Sequence, residues 1–160
     1  MTLPTAGNAA RPSETGARAP ARFKAVAFDL DGTLLNTLPA MEQSWNAVLA
    51  PVVGRSIPGD EIVATLGPHL IDIVRSYDPP DPTGLTAELS EHYASIFLTA
   101  SELYPGVRDL VTVLAERGYR MGVVTSMDSA ARVMLEHFGV LQHFGAVVTE
   151  DDVERLKPYP

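Results

Sequence analysis

The chain has 160 residues, of which 46% are hydrophobic and 20% charged, a composition typical of a globular protein with one core domain and room for a small insertion. It contains no cysteine, which excludes disulfides, thiol catalysis and cysteine-based zinc sites and fits a cytoplasmic protein. The net charge of −8 argues against nucleic-acid partners, and no apolar run is long enough to cross a membrane.

The first 28 residues divide into an aperiodic leader and a predicted strand. Residues 1–22 are rich in Ala, Pro, Gly, Thr and Arg and have no periodicity, so we expect a disordered leader. The apolar run from Phe23 to Phe28 ends at Asp29. A short apolar run of this kind predicts a strand buried on both faces of a parallel sheet.

The next segment, residues 38–100, is predicted to be entirely helical. Apolar residues from Leu38 recur at three- and four-residue steps, as they do on one face of a helix. The Pro-rich stretch 78–82 is expected to be a loop. The predicted helices span residues 38–52, 57–66, 70–77 and 85–100.

Alternation of strands and helices resumes after Tyr104. A helical face begins at Val107 and ends at Gly118. Strands are predicted at Tyr119–Val124 and Phe144–Val148, and the helix between them is expected to be capped by Asp128. This order predicts an α/β fold with a Rossmann-like parallel sheet and an inserted helical segment.

Three polar clusters are expected where strands end, namely 29–33, 125–126 and 157–158. Ligands of open parallel sheets bind beyond the carboxyl ends of the strands. We therefore expect the three clusters to face one crevice.

The first cluster contains two carboxylates with the chemistry of phosphoryl transfer. Asp29, at a strand end, can act as a nucleophile and form an aspartyl-phosphate. Asp31 can protonate the leaving oxygen and later deprotonate the attacking water. The two roles require different protonation states, which different surroundings can produce.

The other clusters provide groups that bind anions. Thr125 offers a hydroxyl, and Ser126 with its neighbours offers backbone N–H groups at the start of a helix. Lys157 offers a point charge for phosphoryl oxygens. Magnesium prefers oxygen ligands, for which the carboxylate of Asp29 and the backbone carbonyl of Asp31 are candidates. The metal and the lysine would let an acidic protein hold an anion.

These clusters resemble the motifs of a known superfamily. The run from Asp29 to Thr37, Asp-Leu-Asp-Gly-Thr-Leu-Leu-Asn-Thr, resembles the first motif of the haloacid dehalogenase superfamily in its phosphoglycolate-phosphatase-like branch. Residues 123–126 resemble the second motif, although many relatives have Asn at the position of Ser126, and residues 157–160 resemble the third.

The resemblance implies a division of the chain and a reaction. It implies a catalytic core at 23–37 and 101–160, and a mobile helical cap at 38–100 that closes over the phosphate site. It implies a magnesium-dependent hydrolase that acts on a small phosphorylated metabolite through an aspartyl-phosphate. The acid at Asp31 favours phosphoryl chemistry, because the dehalogenases themselves lack it.

In the family a fourth motif, an acidic loop after a further strand, supplies the remaining magnesium carboxylate, and the sequence ends at Pro160 before such a loop. We therefore expect an incomplete core, an exposed apolar edge at Phe23–Phe28, and impaired magnesium binding and turnover. Tight magnesium binding measured by calorimetry on residues 1–160 would contradict this expectation.

Two alternatives stay open. One is a phosphosugar mutase, which uses the same two acids but shields the intermediate from water. The other is a non-catalytic remnant that binds phosphate or a partner. Trp45 is expected to pack within the cap, and residues 150–152 to form a solvated acidic loop. His69 and Arg75 are not assigned to the site.

Overall fold

The structure is a computed structural model that describes residues 23–65, 67–155 and 157. The predicted leader, residues 1–22, and residues 158–160 of the third motif lie outside the described residues. Leu66, the predicted last residue of one helix, also lies outside them.

Short strands flank a mainly helical segment. The strands are β1 (Ala25–Phe28), β2 (Leu35–Asn36), β3 (Glu102–Leu103), β4 (Arg120–Val124) and β5 (Ala146–Val148). The α-helices are α1 (Leu38–Val48), α2 (Ala50–Val53), α3 (Gly59–Thr65), α4 (Leu70–Arg75), α5 (Pro82–Ala100), α6 (Val107–Glu116) and α7 (Ala130–His137). Single 3-10 turns occupy Leu141–His143 and Glu150–Asp152. Within the described residues, no helix is both long and apolar enough to cross a membrane.

The main sheet is parallel and has the order β1-β4-β5, which confirms the predicted α/β fold. Among the described residues, β1 pairs only with β4. The prediction that β1 is buried on both faces is wrong for this structure, because Ala25 and Ala27 are exposed while Val26 and Phe28 pack against the core. The outward residues are alanines, so the run is apolar throughout although only one face is packed.

Several helices of this segment begin or end at other residues than predicted: α3 begins at Gly59 and not at Ile57, and α4 ends at Arg75 and not at Tyr77. Two further differences have a clear local cause. The helix predicted over 38–52 is interrupted at Leu49, because Pro51 has no N–H to donate to the carbonyl four residues earlier. The last long helix begins at Pro82 and not at Leu85. Asp81 caps it by accepting a 2.9 Å hydrogen bond from the Gly84 N–H, and proline suits the first turn of a helix.

A two-stranded antiparallel ribbon, which the sequence analysis did not predict, joins the helical segment to the sheet. Strand β2 enters the helices and β3 leaves them, with Leu35 opposite Leu103 and Asn36 opposite Glu102. The two connections therefore lie side by side.

Buried apolar residues form two clusters. One surrounds the main sheet and includes residues of α6 and α7, and the other lies among α1 to α5. Helix α5 contributes Phe97 to the first and Leu89 to the second. It is therefore the helix that connects the two clusters.

The side chain of Asn46 holds α1 to the segment that precedes α3. Its amide nitrogen donates to the carbonyls of Glu42 (2.9 Å) and Ile57 (2.8 Å). Its oxygen accepts from the Ile57 N–H (2.9 Å) and the Ser56 hydroxyl (2.8 Å). Because Ile57 is fully buried, its backbone groups depend on this amide.

We predict that Asn46→Ala lowers the free energy of unfolding by about 2–3 kcal/mol, since it leaves the buried backbone groups of Ile57 without partners. Urea denaturation measures the change. The exchange Gln43→Ala, at an exposed position of the same helix, is the control and should cost less than about 0.5 kcal/mol. Equal losses in the two variants would contradict the role of the amide.

Candidate active site

Asp29 follows β1 directly, at the carboxyl end of the sheet. The ammonium of Lys157 donates to Asp29 Oδ1 at 2.6 Å and to the Val124 carbonyl at 3.2 Å. Lys157 therefore bridges the ends of the neighbouring strands β1 and β4. Both side chains of the ion pair are a little over 40% exposed, so Asp29 remains open to the solvent side.

A tight turn after Asp29 places Asp31. The carbonyl of fully buried Leu30 accepts hydrogen bonds from the N–H groups of Leu34 (2.9 Å) and Leu35 (3.0 Å). Gly32 has a φ of +72°, a left-handed conformation that favours glycine, and its N–H donates to the Leu35 carbonyl at 2.8 Å. This turn is anchored in the core by Leu30 and holds both carboxylates at the sheet end.

Asp31 is surrounded by two buried threonines. The hydroxyl of Thr37 donates to Asp31 Oδ1 at 2.8 Å, and that of Thr125 lies 3.5 Å from Oδ2. Burial raises the pKa of Asp31, and the nearby charge of Asp29 raises it further. The hydrogen bonds and the charge of Lys157 lower the pKa but do not cancel this rise. The two acids of one loop are thus held in different electrostatic surroundings.

Thr37 was missed as a site residue by the sequence analysis. It is only 2% exposed, and its hydroxyl orients the carboxyl of Asp31. The available signal was its place six residues after Asp31 within the first motif, because the intervening turn brings the chain back on itself.

The second motif lies beside the first, although not at the start of a helix. Thr125 is tied to β5 by a 3.0 Å bond from its N–H to the Val148 carbonyl, and its hydroxyl accepts from the Met127 N–H at 3.1 Å. Ser126 precedes the first residue of α7 by four positions, so the expectation that it opens that helix is wrong. A short turn intervenes.

The beginning of α7 is already bound to acidic side chains of the protein. The N–H of Ala130 donates to Asp128 at 2.8 Å, although the cap residue of α7 is Ser129 and not the predicted Asp128. The N–H of Ser129 donates to Asp151 at 2.9 Å. These two N–H groups are thus satisfied by carboxylates of the chain.

A cavity of about 660 Å³ opens at this end of the sheet. The structure brings all five predicted site residues to its wall: Asp29, Asp31, Thr125, Ser126 and Lys157. The opposite wall comes from the helical segment and includes Met41, Trp45, His69, Ile71, Tyr93 and Phe97. The carboxylates of the sheet therefore face a largely apolar wall.

The structure adds information on residues outside the predicted site. Trp45 packs in the helical cluster, as expected, and also lines the cavity. His69 lines it as well, whereas Arg75 pairs with Asp72 at 3.0 Å.

The acidic loop at 150–152 is more structured than the predicted solvated loop. Glu150 lines the cavity, where burial and the charge of nearby Asp128 raise its pKa. Asp152 accepts hydrogen bonds from the N–H and the hydroxyl of Thr149, both at 2.9 Å. Asp128 also lines the cavity, so two acids beyond the predicted pair face it.

The donor set at the sheet end fits magnesium. The described part of the chain contains no group of three or more His, Asp or Glu side chains arranged to hold a metal ion. Magnesium does not require one, since it keeps several waters and uses one or two carboxylates with a substrate phosphate. Asp29 and Asp31 line the same cavity and provide hard oxygen donors.

Comparison with known proteins gives consistent matches. The chain is 35% identical over 153 residues to the phosphoglycolate phosphatase of Rhodospirillum rubrum, covering 86% of this chain and 62% of that protein. It is 33% identical over 140 residues to the pyrophosphatase PpaX of Bacillus pumilus, covering 84% of this chain and 63% of that protein. Its fold is similar to the crystal structure of a predicted phosphoglycolate phosphatase from Haemophilus somnus, with a TM-score of 0.74, 23% identity, and coverage of 87% of this chain and 68% of that one.

The family model described as haloacid dehalogenase-like hydrolase matches residues 26–160. The chain spans 62–63% of the length of the two curated relatives given above. The match covers both the sheet and the helical segment, and includes every residue of the site described here. The chain therefore belongs to the haloacid dehalogenase-like hydrolase family.

Proposed function

We propose that this protein is a magnesium-dependent phosphomonoesterase that acts on a small phosphorylated metabolite through an aspartyl-phosphate on Asp29. The observation that carries the proposal is the pairing of two unlike acids in one cavity. Asp29 lies 2.6 Å from the ammonium of Lys157, while Asp31 is enclosed and has a raised pKa. A nucleophile and a proton donor require these opposite surroundings.

In the first step Asp29 attacks phosphorus and the ester bond to the leaving alcohol breaks. The leaving oxygen takes the proton of Asp31, whose burial favours the protonated form. The hydroxyl of Thr37 holds Asp31 Oδ1 at 2.8 Å and that of Thr125 lies 3.5 Å from Oδ2, and the two contacts orient the carboxyl at the cavity wall. The products are the alcohol and the aspartyl-phosphate.

In the second step water attacks the same phosphorus. Asp31, now ionised, takes a proton from the water, and the bond between phosphorus and the Asp29 oxygen breaks. Inorganic phosphate leaves, and both acids return to their starting states. The same carboxyl thus serves as acid and then as base.

The phosphoryl group needs positive charge and hydrogen-bond donors in this acidic cavity. Lys157 provides charge at the sheet end, and Thr125 and Ser126 provide donors beside it. When bound, magnesium would stabilise negative charge on the phosphoryl oxygens, held by the Asp29 carboxylate and the Asp31 backbone carbonyl.

Asp29→Asn should lower kcat/KM for p-nitrophenyl phosphate by about 10³-fold or more, because an amide cannot form the aspartyl-phosphate. The matched control Asp109→Asn changes an exposed aspartate on α6 and should keep activity within about twofold. Acid-quenched protein should carry phosphate on the peptide that contains Asp29, as detected by mass spectrometry. Unchanged hydrolysis in the Asp29 variant would remove the nucleophile assignment.

Asp31→Asn should affect substrates according to their leaving groups. Alkyl phosphates need a proton on the departing oxygen, whereas nitrophenolate leaves without one. We expect kcat/KM to fall about 100-fold more for an alkyl phosphate than for p-nitrophenyl phosphate. In the unmodified protein, alkyl phosphate hydrolysis should decline as pH rises through the pKa of Asp31. Equal losses for both substrates would contradict the proton-donor role.

The raised pKa of Asp31 also predicts a pH-dependent stability. A carboxyl whose pKa is higher in the folded state favours folding when protonated, and this contribution is lost as pH rises through the folded pKa. Asp31→Asn cannot ionise, so its stability relative to the unmodified protein should increase from acidic to neutral pH. Thermal unfolding across this range measures the trend. Glu88→Gln, at an exposed position of α5, is the control and should not reproduce it.

A further inference from the structure

Two hydrogen-bond donors in the residues that line the cavity have no partner in the described structure. They are the indole N–H of Trp45 and the phenolic hydroxyl of Tyr93, and both polar atoms are buried. Buried polar groups are nearly always hydrogen-bonded, since an unpaired group loses its bonds to water without replacement. No described protein atom accepts a hydrogen bond from them, so a ligand in the cavity that both residues line is a candidate acceptor.

The hydroxyl of Tyr93 lies near the reaction site. Tyr93 stacks on Phe97 within α5, with ring centroids 5.9 Å apart. Burial raises the pKa of Tyr93, and the charges of Asp31 and Asp128 raise it further. The phenol therefore stays protonated and available as a donor, close to the carboxyl that would protonate the leaving group.

The acidic side chains of the cavity limit which ligand groups can accept a hydrogen bond from the Tyr93 hydroxyl. Besides the two acids of the first motif, Asp128 and Glu150 line the cavity. Within the described residues, Lys157 is the one lysine or arginine on its wall, and in the proposed function it serves the phosphoryl group. His69 also lines the cavity, where its charge partly offsets the rise in the pKa of Glu150. A carboxylate on the leaving group would therefore approach several acidic side chains with no lysine or arginine of its own. A neutral hydroxyl would accept from Tyr93 and donate to a carboxylate.

We propose that Tyr93 is a specificity-determining residue, and that its hydroxyl, with the Trp45 N–H, selects phosphate esters of neutral, hydroxyl-bearing alcohols over those that carry a carboxylate. This inference rests on the proposed function, which supplies the phosphoryl site. The apolar wall formed by Met41 and Ile71 suits the carbon skeleton of such an alcohol. Both donor atoms are buried, so the proposal requires the wall to move when a ligand enters.

Binding measurements can test the proposal without turnover. Trp45 is the single tryptophan of the sequence and lines the cavity, so its fluorescence reports ligand binding. In the Asp29→Asn background, glycerol 3-phosphate should bind about tenfold tighter than both inorganic phosphate and phosphoglycolate. Adding Tyr93→Phe should raise the Kd of glycerol 3-phosphate about tenfold and leave that of inorganic phosphate within about twofold.

Tyr77→Phe is the matched control, because Tyr77 also has a buried hydroxyl but does not line the cavity. It should leave all three dissociation constants unchanged. Equal or tighter binding of phosphoglycolate would overturn the substrate class, and an equal effect of Tyr93→Phe on inorganic phosphate would overturn the specificity role. If inorganic phosphate binds but glycerol 3-phosphate binds no tighter, the proposed function survives and this inference fails. No binding of inorganic phosphate by the unmodified protein in the presence of magnesium would overturn both.

Discussion

The parallel alignment of β1, β4 and β5 is the constraint on which the site depends. Parallel strands end at the same edge, so polar residues that follow separate strands are gathered there without any contact in sequence. Asp29 and Lys157 are 128 positions apart, and their charged atoms are 2.6 Å apart. Because Lys157 also contacts the Val124 carbonyl, the ion pair depends on the register between β1 and β4.

The turn at 29–35 gives chemically identical side chains different properties. Asp29 remains partly open to solvent and faces an ammonium, whereas Asp31 is enclosed by Thr37 and Thr125. The fully buried Leu30 between them fixes which side chain turns inward. Local backbone geometry, anchored in the core, thus gives different surroundings to two acids that are only two positions apart in the sequence.

Much of this arrangement could be predicted from sequence because it depends on local signals. Apolar runs ending in polar clusters predicted β1, β4 and β5, and their order predicted the parallel sheet. The β2–β3 ribbon escaped prediction, because two-residue strands carry no periodicity and exist only through their pairing. Thr37 and Tyr93 escaped for a related reason. In the sequence, Thr37 is a residue before a predicted helix and Tyr93 belongs to the apolar stripe of another. Only the fold places Thr37 on Asp31 and Tyr93 at the cavity.

The β2–β3 ribbon has a consequence for how this chain could be altered. The helical segment begins and ends on adjacent paired strands, with Leu35 opposite Leu103, so its two ends are already held together. A replacement segment of another length would meet the same closure geometry, provided that it also supplied the apolar contact that Phe97 makes with the core of the sheet. One wall of the cavity can therefore be exchanged as a module while the carboxylates, the turn that holds them and the strands behind them stay intact.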